Sequence, residues 1–251
     1  GPAEYLSGEP ANLNEYNKHT DAREGKVVYP FPLHADHRHN VAAAAHGAIG
    51  NVDKGFSEAD VVIERTYQTS QVQCTPLEPH IVYTKIDNDR LVIHASTQVP
   101  FHLRRIVAKV CQIDENKIHV IKERVGGGYG SKQDILIEDV AAYATWITRR
   151  PILSRNTREE EFIANSTRHP MRITVKLGAK KDGTITAVYM DVRANTGPYG
   201  NHCLTVPMNA CSKTLPLLAC PNMKFDVTTY YSNICPTGAY QGYGAPKGSY
   251  A

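Results

Sequence analysis

Between residues 60 and 125 the chain alternates short runs of β-branched and aromatic residues with turn residues, the pattern of strands. VVIERTY (61–67), entered through the turn-like GFSEAD, is the first such run. Ile81–Ile86 is the second, and the turn DNDR separates it from a third in LVIHAST. The period then changes. In PFHLRRIVAKVCQI the apolar residues fall at Leu103, Ile106, Val107, Val110 and Cys111, the stripe of an amphipathic helix, with Pro100 suited to its first turn. NKIHVIKERV reads as a strand that runs straight into the glycines of VGGGYG.

Beyond the glycines, SKQDILIEDVAAYATWITRR predicts a helix with Leu136, Val140, Tyr143 and Ile147 on one face and Ser131–Asp134 as its capping box. RITVKLGAKKDGTITAVYMDVRA predicts a hairpin turning at Asp182-Gly183. A short helix near Asn209–Leu218 and a strand in VTTYYSN follow, before a second Gly/Tyr cluster at 238–248. Together these elements predict an α+β fold, mixed β-sheets with packed helices in two lobes. The expected organisation is an irregular segment over 1–50, a lobe carrying the glycine loop over 51–155, and a smaller lobe with the hairpin over 156–251.

Composition narrows the function classes. A hydrophobic content of 41% and a charged content of 21% are those of a globular protein, and 251 residues suffice for a sizeable core. A net charge of +3 without a basic run gives no nucleic-acid footprint. No stretch reaches the roughly 18 apolar residues of a membrane span. GPAEYLSGEP lacks the charged and apolar regions of a signal peptide, so a cytoplasmic location is expected. The six cysteines form no C-x-x-C pair, which signals neither zinc nor an iron–sulfur cluster; reduced, mostly buried thiols are expected. His34, His37 and His39 match no zinc spacing and read as structural or solvated.

The glycine loop is the chemical signal. It lies between a strand end and a helix start, where free N–H groups suit an oxygen-rich or anionic ligand. It is not a P-loop: counted from Gly126, the second glycine is replaced by Ser131, and Lys132 is followed by Gln133. The dinucleotide pattern fails at Ser131 and Gln133 too. Taken alone, a plain structural turn stays open.

Four collinear blocks narrow it. TPLEPH (75–80), STQVPFHLRR (96–105), VGGGYGSKQ (125–133) and GAYQGYGAPKG (238–248) resemble the molybdenum-binding subunit of the xanthine dehydrogenase/aldehyde oxidase family, the molybdenum hydroxylases. Weaker likeness runs through KGFSEADVVIERTY, RPILSRNTREEEF, RHPMRITVKLGAKKDGTI and ACPNMK, so that the resemblance covers about residue 52 to 251.

The resemblance implies a molybdenum held by the dithiolene of a pterin, with no direct protein ligand to the metal. In bacterial members the pterin usually carries a cytosine dinucleotide. Gln98 corresponds to a glutamine that hydrogen-bonds an oxygen ligand of the metal; a neutral amide does so without adding charge. Gly127, Gly128, Tyr129 and Gly130 correspond to the loop whose amides face the cofactor, Tyr129 standing where Phe is usual. Tyr240, Gln241 and Gly242 correspond to a second cofactor segment, in which Gln241 replaces a common Arg. Tyr243 matches an aromatic that stacks on a flat ring substrate.

Three departures bear on chemistry. Gln133 stands where the xanthine-oxidising branch has a Glu, and Asn209 aligns roughly with an Arg of that branch, so an N-heterocycle other than xanthine, or an aldehyde, is at least as well served. The motif carrying the family's general-base Glu does not occur, and no catalytic residue is expected in this chain. The resemblance thus implies part of a molybdenum subunit, completed by its remaining half and by partners bearing iron–sulfur clusters and FAD. The competing expectation, favoured by Gln133, Asn209 and Gln241, is a non-catalytic assembly domain that keeps the fold without the cofactor.

Overall fold

The computed structural model describes residues 33–251, so most of the expected N-terminal segment lies outside the described residues. In chain order it gives β1 (Val41–Ile49), α1 (Val52–Ser57), β2 (Val61–Thr69), β3 (Ile81–Asp87) and β4 (Arg90–Ala95). There follow α2 (Pro100–Cys111), β5 (Ile118–Ile121), α3 (Glu138–Thr148), β6 (Ile152–Arg155) and α4 (Arg158–Ala164). The chain continues through β7 (Met171–Ala179), β8 (Ile185–Gly197), α5 (Thr205–Ser212), β9 (Met223–Tyr231) and α6 (Ala245–Tyr250). Among the described residues no helix is long and apolar enough to cross a membrane.

The elements form two units. Residues 33–72 and 168–251 make one, and Gln73–Thr167 make the other. These limits differ from the expected ones at 50 and 155, and residues 41–49, read as irregular, form β1. The cause is strand pairing. VVIERTY pairs along its length with β7, Tyr67 opposite Ile173, and so belongs with the hairpin and not with β3. Alternation of apolar residues marks a strand but does not name its partner.

The first unit is built on a mixed five-stranded sheet ordered β1-β9-β8-β7-β2. Its centre is the expected hairpin, β7 against β8, turned at Asp182-Gly183 with Gly183 at φ 89°. One face buries Ile173, Met190, Val192 and Val227 under Val206, Ala210 and Cys211 of α5. α5 begins at Thr205, ahead of the expected 209, and Leu215–Leu217 is a separate 3-10 turn: Pro207 fits the first turn of one helix and Pro216 the first turn of the next.

The second unit carries a four-stranded sheet ordered β5-β4-β3-β6. β4 and β5 are parallel, so a crossover must join them, and α2 supplies it. The α2 stripe buries Leu103, Val107 and Cys111 on Leu91 and Ile93. α3 departs from expectation twice. It starts at Glu138 because Ser131–Gln133 close a 3-10 turn and Asp134 is extended. The Ser131–Asp134 capping box therefore does not form, and the Glu138 carboxylate instead accepts from the N–H groups of Leu136 and Ile137 at 2.9 and 3.0 Å. Its buried face is Ala141, Ala142 and Thr145, while Val140, Tyr143 and Ile147 are exposed. Small residues let the helix sit close enough for the Thr84 hydroxyl to bond that of Thr145 at 2.6 Å.

Candidate functional site

In the second unit the loop after β5 is shaped by glycine chemistry. Gly127 and Gly130 have φ of 103° and 108°, and Tyr129 between them sits at φ 55°. At Gly128 the constraint is space: a Cβ would lie 2.9 Å from the Gln98 carboxamide carbon. The loop closes with Ser131 N–H donating to the Gly128 carbonyl and Gln133 N–H to that of Gly130, both at 3.0 Å. The N–H groups of Gly127, Gly128 and Tyr129 find no hydrogen-bond partner among the described residues, although Gly128 is buried. A buried amide is seldom left so, and successive unpaired N–H groups are donors available to an oxygen-bearing ligand.

Gln98 borders this loop. Its main-chain N–H donates to the Lys132 carbonyl at 2.8 Å, and its side-chain oxygen accepts from Gly130 N–H at 3.0 Å. Because Gly130 N–H only donates, the amide orientation follows: the oxygen is occupied and the NH2 is left as an outward donor. Gln98 and the Tyr129 ring are exposed in this chain.

The loop is anchored by residues that the sequence reading did not single out. Lys132 is fully buried, and its Nζ donates to the Glu78 carbonyl at 2.9 Å, to Glu78 Oε2 at 2.8 Å and to the Ser96 hydroxyl at 2.9 Å. All three ammonium donors are occupied, which excludes a phosphate-reaching P-loop lysine. Glu78 Oε2 also accepts from Gly126 N–H at 2.8 Å and from the Ser96 hydroxyl. Burial pulls the Glu78 carboxyl upward, but these donors, Lys132 first, hold it below its ordinary value. All three residues lie inside the quoted blocks, yet a lysine is exposed by default and nothing in the chain pairs it with Glu78.

α4 holds the other side of the TPLEPH segment. Arg158 donates to the carbonyls of Pro76 and Leu77 at 2.6 and 3.0 Å. Glu161, fully buried, accepts from the N–H and Nδ1 of His80 and from Asn156 and Asn165. His80 Nε2 is buried without a partner, so it is Nδ1 whose N–H faces the Glu161 carboxylate, at 2.9 Å. Burial alone would raise the Glu161 carboxyl; the His80 and Asn156 donors bring it down to about 2.

The first unit presents the second glycine segment. Gly242, Tyr243 and Gly244 have φ of 85°, 45° and 92°, a turn that only glycine-rich sequence accommodates. A Cβ on Gly244 would lie 3.0 Å from the Val206 carbonyl carbon, so the segment lies tightly on α5. The Tyr243 hydroxyl hydrogen-bonds His202 Nδ1 and, at 2.8 Å, Thr205. The Tyr240 ring lies 3.7 Å below the Arg168 guanidinium, and Gln241 is exposed. Asn209 on α5 accepts from Ser212 at 3.2 Å. Gln98, the glycine loop and Gln133 thus come together in one unit, while Asn209 and Tyr240–Tyr243 belong to the other.

Cys74, Cys111, Cys203 and Cys211 are buried, and burial raises the Cys211 thiol to about 12. Among the described residues no group of three His, Cys, Asp or Glu side chains is placed to hold a metal ion.

Comparison with known proteins places the fold. Residues 33–251 match the family model of the molybdopterin cofactor-binding domain. A probable hypoxanthine oxidase, XdhD, of Escherichia coli O157:H7 is 61% identical over 250 residues, all of this chain and 26% of the relative. The nicotinate dehydrogenase large molybdopterin subunit of Eubacterium barkeri is 32% identical over 211 residues, 84% of this chain and 50% of the relative. Among solved structures, the aldehyde oxidoreductase of Desulfovibrio gigas superposes with a TM-score of 0.77 at 25% identity, covering 83% of this chain and 23% of that one. The chain belongs to the molybdopterin cofactor-binding domain family, as a part of the xanthine dehydrogenase/aldehyde oxidase type. It spans about a quarter of the XdhD relative's length.

Proposed function

We propose that this chain forms part of the molybdopterin site of a xanthine dehydrogenase-like molybdenum hydroxylase. One observation carries the reading: the amides of Gly127, Gly128 and Tyr129 lie open beside the free NH2 of Gln98, in a cradle that a Cβ at position 128 would fill. A flat, oxygen-bearing group fits such a surface, because neutral donors meet oxygen without placing charge on a redox centre. Gly127, Gly128, Tyr129, Gly130 and Gln98 would hold the group from the second unit. Tyr240, Gln241 and Gly242 are proposed as contacts of the first unit. When bound, the cofactor supplies two-electron oxidation with oxygen derived from water. The protein's own contribution is to orient it and to keep donors aimed where oxygen sits.

Gln133, Asn209 and Tyr243 are proposed as substrate-pocket residues. The names of two relatives, hypoxanthine oxidase and nicotinate dehydrogenase, favour an N-heterocycle over an aldehyde. Neutral amides suit such a ring, since they pair with ring nitrogens and exocyclic oxygens through donors and acceptors together. A cytosine dinucleotide on the pterin, a general-base Glu in the remainder of the subunit, iron–sulfur and FAD partners and a cytoplasmic location complete the proposal. The test is metal and pterin content of the full-length subunit. Wild-type protein is expected to carry both, and Gln98→Ala to lose hydroxylation of hypoxanthine or nicotinate by at least tenfold, the size of one lost transition-state hydrogen bond. Full-length protein purified without pterin, from cells that load other molybdenum enzymes, would establish the assembly-domain reading instead.

A further inference from the structure

We infer that Lys132 and Glu78 are positioning residues, which set the glycine loop and Gln98 at the height the cofactor requires; the inference rests on the cofactor reading above. The geometry has three parts. The loop is latched at its start, where Glu78 N–H donates to the Gly126 carbonyl at 3.1 Å and Glu78 Oε2 accepts from Gly126 N–H at 2.8 Å. It is latched at its end by Lys132, whose ammonium reaches back to the same residue, at 2.9 Å to the carbonyl and 2.8 Å to Oε2. Gln98 rides on the latch, since its N–H bonds the Lys132 carbonyl at 2.8 Å. A shift of Lys132 therefore moves both the side-chain donor and the loop that frames the open amides.

A structural role alone explains this poorly. Buried ion pairs contribute little net stability compared with apolar side chains of the same volume, because desolvation offsets the attraction. What the pair provides that an apolar filling cannot is a fixed register between three segments, 76–80, 96–98 and 126–132. Ser96 completes it, its hydroxyl bonding both charged partners. None of the three side chains reaches the open amides, so each acts through the loop.

The test uses the full-length subunit and separates register from stability. Glu78→Gln alone leaves the buried Lys132 ammonium without its carboxylate and is expected to lower stability strongly; Lys132→Met alone should cost less, because the Glu78 side chain keeps 31% of its surface exposed. The double variant Lys132→Met/Glu78→Gln removes both charges. Its cofactor-free form is expected to melt within a few degrees of the wild type, while pterin retained through gel filtration falls at least tenfold. The rise in melting temperature on cofactor loading should shrink in parallel. Ser96→Ala, which buries no charge, is expected to show the same split more weakly. Ile93→Val, in the core of the same unit, should lower both forms equally and leave retention unchanged. Double variant and wild type holding the same pterin, with the same loading shift, would overturn the inference and leave the network purely structural. Wild-type protein without pterin would instead overturn the cofactor reading on which it rests.

Discussion

A Cβ at Gly128 would meet the end of the Gln98 side chain, which is exposed and can swing aside, so the crowding there acts on Gln98 and not on the backbone. Gly128→Ala pushes the Gln98 carboxamide off the Gly130 N–H, at the cost of that hydrogen bond, about 0.5–1.5 kcal/mol. We expect the full-length subunit to keep its fold and to lose about two- to tenfold in pterin content by that energy, measured by fluorescence of the released pterin. The glycine loop stood out as a glycine run between a strand and a helix, whereas Gln98 was reached only through the family resemblance of STQVPFHLRR. Lys132 and Glu78 were not legible, since their pairing is a tertiary fact with no local signature. Glu161 sets a residue-scale pH dependence. Its carboxyl falls from 4.5 to about 2 on folding, so the stability it contributes is complete above pH 4.5 and is lost as pH drops through 2. Urea denaturation between pH 5 and 2.5 should show stability declining in wild type, and a flatter slope in Glu161→Gln.

At the scale of elements, α3 shows where periodicity misleads. Leu136 lies ahead of the helix and is half-buried, while Val140, Tyr143 and Ile147 do share a face, but that face points outward and the helix packs through Ala141, Ala142 and Thr145. A hydrophobic stripe records which positions are apolar; it does not say which side meets the sheet, and close packing favours small residues. The consequence is an inverted mutational pattern. Ala142→Leu, at a fully buried position, is expected to destabilise by about 1–3 kcal/mol. Val140→Ser, on the apparent core stripe, should stay within about 0.5 kcal/mol in this chain. Thermal melts of the two variants decide it, and a larger loss for Val140→Ser would reverse the packing described. The same blindness to partners moved the start of α3: Ser131 was read as an N-cap, but its hydroxyl donates to the Gly128 carbonyl at 2.9 Å and serves the loop.

For the whole molecule, the fold class and the hairpin were legible, whereas the nesting of one unit inside the other was not. Nothing in VVIERTY indicates that it bypasses β3 to pair with β7, more than 100 residues further on. That long-range pairing makes 73–167 an insertion in the described part of the first unit. The crossing points make this physically simple. Arg168 N–H donates to the Val72 carbonyl at 2.9 Å within the first unit, and Gln73 bridges Thr167 within the second. Chain ends held side by side are the condition under which a domain can be cut out, because closing the gap costs little entropy. The inserted unit also has its own sheet and its own core of Leu91, Ile93, Leu103, Val107 and Ala142. We therefore expect residues 73–167, expressed alone, to unfold cooperatively with dispersed amide resonances. Joining Val72 to Arg168 by a short glycine linker should leave the five-stranded sheet intact, as read from β-type circular dichroism and a single melting transition. Collapse of both pieces into non-cooperative species would mean that the two cores are not independent. In that case the register of the glycine loop would depend on the first unit as well as on Lys132 and Glu78.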